Sequence, residues 1–451
     1  MAKTFPLLPK NVSRVETRYR RIVTPIPVPE SLPILEKLRC YEPRSMSGQP
    51  PIIWDHACGV NVFDKYGNMW LDFSSGVLVT NAGHGHPRVV ARIKEQIEKP
   101  LLHHYCFPAE PRAELVEKLS CLSPEPLKKV FLLTTGAETI ECALKLCRSW
   151  GKTLGKTVFV TFEGAFHGRT LGAQMAGGIP SLKEWIAHHD PEIIQVPFPG
   201  DPWCQDRSFA VLEKSLQEKN IKPEKVCGVL SETYQGATAA FMPAEYARAL
   251  RQWCDRYQAL LVFDEVQAGF GRTGKLFGFQ HYDILPDIFC LGKGISSSLP
   301  LSAVIGRPEI MDLYPPGTMT STHSGSPICC AASLGSIEAI EKERLVENAA
   351  AMGVVLGKRL STLNQKFPTR TIISGRGLVW ALIFVKPENR QPDGETAYQV
   401  VLRCMEKGLL FFAPVGPGGA TIKICPPLCI SEEAINEGCD VLSEVLTEVL
   451  P

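Results

Sequence analysis

An acid and a lysine stand just past two short apolar runs, and no other pair in the chain is better placed to do chemistry. Leu260 to Phe263 runs into Asp264, and Ile288 to Leu291 is followed by Gly292 and Lys293. Each run is too short for a helix and has the length of a buried strand. In open α/β sheets ligands sit outside the carboxyl ends of the strands, so two parallel neighbours here would aim both groups into one crevice. An amine in that place can attack a carbonyl carbon and carry protons, while a carboxylate can keep a basic ring nitrogen protonated. Other readings compete for the same stretch. Gly269, Gly271 and Gly274 spell the GxGxxG of a dinucleotide site, but no carboxylate closes a second strand at the distance a ribose contact requires. Gly269 to Lys275 spells the start of a phosphate loop, yet Leu276 stands where magnesium needs a hydroxyl. Taken one residue at a time, Asp264 reads as a helix cap and Lys293 as a surface lysine.

Pyridoxal phosphate requires this pairing: a lysine that forms a Schiff base with its aldehyde, and a carboxylate beside its pyridine nitrogen. A third feature fits its phosphate. The strand-like KVFLL is followed by TTGAE, a turn opening a helix, where backbone N–H groups and the positive end of the helix dipole favour an anion. A plain strand-to-helix turn would look the same. With DEVQ and GRTG between the acid and the lysine, and TTGAE before them, the chain resembles the class III pyridoxal-phosphate-dependent aminotransferases, the group that contains 4-aminobutyrate and ornithine aminotransferases. The resemblance extends over most of the chain. It implies fold type I, an α/β architecture whose large domain has a mostly parallel seven-stranded sheet, with a smaller α/β domain beside it.

What the resemblance implies for single residues follows its motifs. Lys293 and Asp264 are catalytic. Thr135, Gly136 and Ala137 take the phosphate loop's place; in GAFHGRT, Phe166 stacks on the pyridine ring, His167 orients the site and Arg169 forks a substrate carboxylate. Glu232 supports the cofactor site, although Thr233 follows it where the family commonly has proline. Val266 presses on the ring face opposite Phe166, and Gln267 bonds the phenolic oxygen. Thr322, in STHSGSP, binds the phosphate of the neighbouring subunit, so the sites are shared in a homodimer, or in a tetramer of two dimers. Val77 lines the substrate mouth. Ala237 replaces the glutamate of the 4-aminobutyrate and ornithine types, and Lys423 replaces the arginine which that glutamate covers; a lysine offers a point charge and no fork.

The expected reaction is amino-group transfer by a ping-pong mechanism, from an ω-amino acid or amine donor to a keto acid, pyruvate or 2-oxoglutarate. Two alternatives remain beside it: an amino-acid racemase, epimerase or aminomutase of the same family, and a non-enzymatic scaffold of the same fold. The intact Asp264, Gln267 and Lys293 speak against the scaffold.

The rest of the chain sets the frame for these residues. A length of 451 residues allows two or three domains, and a net charge of +1 gives no reason to expect nucleic acid or a membrane surface. No apolar run reaches the roughly 18 residues of a membrane span, and the N-terminus lacks a secretory pattern; a soluble, cytoplasmic protein is expected. The 16 cysteines are scattered with no CxxC pair, which reads as reduced thiols in the core. The paired histidines, such as His84 with His86, lack further ligands at metal spacing, so no metal is expected. Residues 1–79 read as a proline-rich arm and a β-rich segment with a hairpin turn at Lys65 to Asn68, forming part of the small domain. Residues 80–335 read as the large cofactor-binding domain, with strands near 130–133, 157–161, 193–196, 226–231, 260–263, 287–291 and 302–305. Residues 336–451 read as the C-terminal small domain, closed by a helix whose apolar face carries Ile435, Cys439, Leu442, Leu446 and Val449.

Overall fold

In the computed structural model, which describes residues 4–450, the chain forms two compact units. One comprises residues 87–236 and 240–346, the other residues 4–86, 237–239 and 347–450.

The first unit is built on a seven-stranded sheet. Its strands are β1 (Lys129–Leu133), β2 (Val158–Phe162), β3 (Ile193–Val196), β4 (Val226–Glu232), β5 (Leu260–Asp264), β6 (Ile288–Leu291) and β7 (Ser302–Gly306), in the spatial order β1-β7-β6-β5-β4-β2-β3. All seven expected runs are strands of this one sheet: β3, β2, β4, β5 and β6 pair in parallel, and β7 runs antiparallel to both its partners, β6 and the edge strand β1. The strands read as apolar runs because helices cover both faces of such a sheet. β2, β4, β5, β6 and β7 are buried along their whole length. Cys142, Cys147, Cys227 and Cys290 pack with Leu230, Val262 and Val304 in the core, where a thiol serves as a small apolar side chain.

Register decides what the sheet presents at its carboxyl edge. Asp264 lies opposite Glu232 on one side and Cys290 on the other, so the ends of β4, β5 and β6 are level. The helix Gly136–Lys152 starts three residues after β1, capped by Thr135 and Glu138 in a reciprocal box.

In the second unit, Asn61–Phe63 and Met69–Asp72 pair as the expected hairpin, with Gly67 at φ 96° in the turn. The proline-rich arm has no core of its own: Ile22, Ile26 and Val28 are buried among Val62, Trp70, Met405 and Leu410 of the same unit. Its helix spans Leu32–Tyr41. β8 (Thr371–Arg376), β9 (Val379–Phe384) and β10 (Thr421–Ile424) form an antiparallel sheet, and Ile435, Cys439, Leu442 and Leu446 are buried on the closing helix Glu432–Val449. Among the described residues no helix is long and apolar enough to cross a membrane.

Candidate active site

The carboxyl ends of β4, β5 and β6 bring Glu232, Asp264 and Lys293 together. Lys293 is half-buried, and desolvation of its amine lowers the pKa, a shift that the charges of Asp264 and Glu232 partly oppose. Its backbone is left-handed, at φ 43°, a conformation that an L-residue adopts at a cost and that clusters at functional sites. A desolvated lysine with a lowered pKa carries more of the neutral, nucleophilic amine than a surface lysine does.

Asp264 is held from two directions. Its Oδ2 lies 2.8 Å from His167 Nδ1, and its Oδ1 accepts the backbone N–H of Val266 at 3.0 Å. A carboxylate only accepts, so His167 Nδ1 carries a proton; its Nε2 is buried with no hydrogen-bond partner among the described residues. The Oε1 of Gln267 is likewise buried and unpartnered. Buried polar atoms are nearly always paired, so two such atoms beside one acid and one amine mark a place that a polar ligand completes.

Glu232 accepts the N–H of Gly236 at 2.8 Å through Oε1 and the N–H of Phe166 at 3.1 Å through Oε2. It thereby ties the GAFHGRT segment to the end of β4. Burial pushes its carboxyl up to about 7, with His167 opposing the rise and Asp264 adding to it. A carboxyl raised above its unfolded value of 4.5 contributes stability that is fully present below that value and is lost as pH rises through about 7. Glu232→Gln lacks this titration, so its stability relative to the unaltered protein should improve by roughly 2–3 kcal/mol between about pH 5 and pH 8.5. Denaturant unfolding of the cofactor-free protein at the two pH values measures this, and an unchanged difference would show that Glu232 stays ionised throughout.

Close packing shapes the floor of the site. A side chain on Gly136 would place Cβ 2.8 Å from Val266 Cγ1, and one on Gly292 would lie 3.1 Å from the same methyl. Val266 is therefore wedged between the start of the helix and the approach to Lys293. Gly168, at φ 133°, would bring Cβ within 2.6 Å of Ala137 Cβ, so GAFHGRT packs on the turn of Thr135, Gly136 and Ala137. On Gly236 a Cβ would meet both Gln267 Nε2, at 2.4 Å, and Glu232 Oε1, at 2.9 Å. Thr135, Gly136, Ala137, Phe166, His167, Glu232, Asp264, Val266 and Gln267 lie on the segments that these contacts join, and Lys293, next to Gly292, feels the charges of Asp264 and Glu232.

The others take no part in those hydrogen bonds. Arg169 is exposed, and its guanidinium sits over the Phe166 ring, 5.6 Å from the centroid, so one face of that ring carries a cation. Thr322 is exposed in a turn before the helix Pro327–Lys342, and no hydrogen bond joins it to the cluster among the described residues. Val77 and Lys423 belong to the other unit. Val77 is exposed within a run of left-handed residues, Ser75, Gly76, Val77 and Leu78 at φ 50°, 55°, 65° and 61°. For a β-branched residue this costs on the order of 1–2 kcal/mol. Lys423 is buried in β10 opposite Ala381. Ala381 faces Ser374, whose hydroxyl donates to the carbonyl of Thr238, so the segment of Ala237 runs against the sheet that holds Lys423.

Two residues of the network escape a reading for catalysis. Glu265 and Thr233 are both fully buried and bonded to each other at the strand ends. Thr233 is visible in the sequence only as a departure from the family's Glu-Pro.

Residues 44–446 match the family described as aminotransferase class-III. The chain belongs to that family. Among its relatives, the 5-aminovalerate aminotransferase of Pseudomonas putida is 33% identical over 416 residues, covering 90% of this chain and 96% of the relative. The 4-aminobutyrate aminotransferase of Mycobacterium leprae is 33% identical over 442 residues, covering 95% and 98%. A solved amine transaminase from an uncultivated Pseudomonas species, with pyridoxal phosphate bound, superposes with a TM-score of 0.81 at 26% identity, covering 88% of this chain and 94% of that one. This class III chain is therefore an aminotransferase of fold type I that uses pyridoxal phosphate and acts on small amino donors and keto acids.

Proposed function

We propose that the enzyme moves the amino group of an ω-amino acid or amine to pyruvate or 2-oxoglutarate, and that it does so as a cytoplasmic homodimer. The observation that carries the catalytic part is the desolvated amine of Lys293 within the field of Asp264, a carboxylate that His167 and the Val266 N–H hold in place. Both relatives above act on ω-amino acids by name, which supports the donor class.

The unpartnered Gln267 Oε1 and His167 Nε2, and the glycine-lined turn at Gly136, fit pyridoxal phosphate. Thr135, Gly136 and Ala137 would hold its phosphate, Gln267 its phenolic oxygen, and Phe166 and Val266 its ring faces. When bound, the group supplies an electron sink for the pair left on the substrate carbon once that carbon loses its proton. Lys293 removes the proton as a neutral amine and delivers it again from the same Nζ, and its lowered pKa suits both tasks near neutral pH. Asp264 keeps a proton on the ring nitrogen, with His167 fixing the carboxylate's orientation. Thr322, exposed in its turn, is assigned to the phosphate of the partner subunit's site. For the substrate carboxylate the candidates are Arg169 and the point charge of Lys423, with Val77 as an apolar contact. Ala237, lacking a carboxylate, cannot cover a basic group as a glutamate would.

The test is to add ω-amino acids, diamines and α-amino acids one at a time to the loaded enzyme, without a keto acid, and to follow the visible band of the cofactor. Loss of the band with ω-amino acids, with the aldehyde product recovered, is expected. A band that responds only to α-amino acids, or an amino acid returned with inverted configuration, would replace the proposed donor class.

A further inference from the structure

Immediately beyond the last ladder pair, Asp264 with Glu232, the two chains are bridged by side chains. The hydroxyl of Thr233 donates to the carboxylate of Glu265, and that carboxylate also accepts the N–H groups of Gly278, at 2.7 Å, and Phe279, at 2.8 Å. Successive side chains of a strand point to opposite faces, so Glu265 reaches away from the cofactor side while Asp264 faces it. The backbone N–H of Glu265 donates to the carbonyl of Cys290 at 2.8 Å, which ties the same residue to β6. The carbonyl of Thr233 accepts the hydroxyl of Tyr282, and Tyr282 stacks on Phe263 with ring centroids 5.9 Å apart. Gly278 has to be glycine here, because a Cβ would lie 2.7 Å from Thr233 Cγ2 and 3.2 Å from Glu265 Oε1.

We propose that Thr233 and Glu265 form a lock that sets the positions of Asp264 and Glu232, and that this chain's threonine, standing where its family commonly has proline, supplies the closing hydrogen bond. Proline has no hydroxyl to offer. Each lock residue directly follows one of the two carboxylates, so a shift at the lock is passed to both through a single peptide unit. Burial raises the Glu265 carboxyl to about 7 while the three donors oppose the rise, which is the balance expected of a carboxylate retained inside the protein for its bonds. Both are positioning residues, acting through Asp264 and Glu232. The proposal rests on the reading of Asp264 as the acid that faces the cofactor.

The experiment compares Thr233→Val, Thr233→Ser, Glu265→Ala and the double variant Thr233→Val with Glu265→Ala, and uses Asp264→Asn as the control. Three quantities are read: kcat and KM, the pH midpoint of the bound cofactor's absorption, and the melting temperature of the cofactor-free protein. Thr233→Val should lower kcat about ten-fold with KM nearly unchanged, as expected when a reacting group is displaced by a fraction of an ångström. The absorption midpoint should move by roughly half a pH unit or more in the same variant. Thr233→Ser should restore both, and the double variant should be no worse than Glu265→Ala alone, because coupled residues are not additive. A lowered melting temperature with kcat and the absorption midpoint unchanged would overturn the lock, as would additive losses. Should Glu265→Ala not fold, the two Thr233 variants decide the matter by themselves. If Asp264→Asn leaves the absorption midpoint where it was, the assignment of Asp264 fails; if Asp264→Asn moves it and Thr233→Val does not, only the lock fails.

Discussion

Lys293→Ala should lower kcat by at least about 10,000-fold, since it removes the nucleophile and the proton carrier together. Loss of fold would not account for this. The amine has a lowered pKa in the folded protein, so its contribution to stability is present above its unfolded value, near about 10.4, and is lost as pH falls toward the folded one. The variant carries no such burden. Cofactor-free Lys293→Ala should therefore gain stability relative to the unaltered protein as pH falls from about 10 to about 6, while its activity is absent throughout. Single-turnover assays and denaturant unfolding at the two pH values test the pair of outcomes. Turnover within about a hundred-fold of the unaltered enzyme would mean that another amine does this work. Arginine should not rescue, because a guanidinium stays protonated and cannot serve as a base.

Asp264→Asn should lower kcat by about a hundred-fold to ten-thousand-fold while leaving the fold intact. The amide has nearly the carboxylate's shape and can still accept the His167 Nδ1–H, so the loss is mainly one of charge. Two effects follow from that charge. The ring nitrogen loses the anion that keeps its proton, and Lys293 loses one of the two carboxylates that oppose the fall in its pKa. The lysine pKa should move further down, shifting the acid limb of the kcat profile to lower pH. Asp264→Glu should not restore activity, because the position sits at the last residue of β5, where an added methylene displaces the carboxylate by more than a catalytic contact tolerates. A profile that kept its shape and height in Asp264→Asn would leave the acid with a structural part only.

Much of this arrangement is legible along the chain. Apolar runs of four or five residues ending at Asp264 and Lys293 place both groups at strand ends, and the turn TTGAE opens the helix Gly136–Lys152 after β1. Local spacing suffices there, because strand period, turn residues and helix caps are properties of neighbours in sequence. Resemblance adds Phe166, His167, Glu232 and Gln267, but it does not say what holds them. The carboxylate of Glu232 accepts N–H groups from segments 66 and 4 residues away, and His167 meets Asp264 across 97 residues. No periodicity carries such pairings.

The sequence by itself therefore determined the elements, their order, the reactive residue types and the family to which their spacing belongs. Tertiary structure decided which of those residues touch, which polar atoms are left for a ligand, and which groups change their proton affinity. Lys293 and Arg169 show the difference: both are cations in a recognised motif, yet desolvation at the end of β6 makes one an amine with a lowered pKa, while the other lies exposed over Phe166. Thr233 and Glu265 show it again, as two ordinary letters that meet only because β4 and β5 are parallel and in register. The physical reason is range. Backbone preference is set within a few residues, whereas desolvation and charge–charge energy depend on everything packed around a group, which the chain brings together only when it folds.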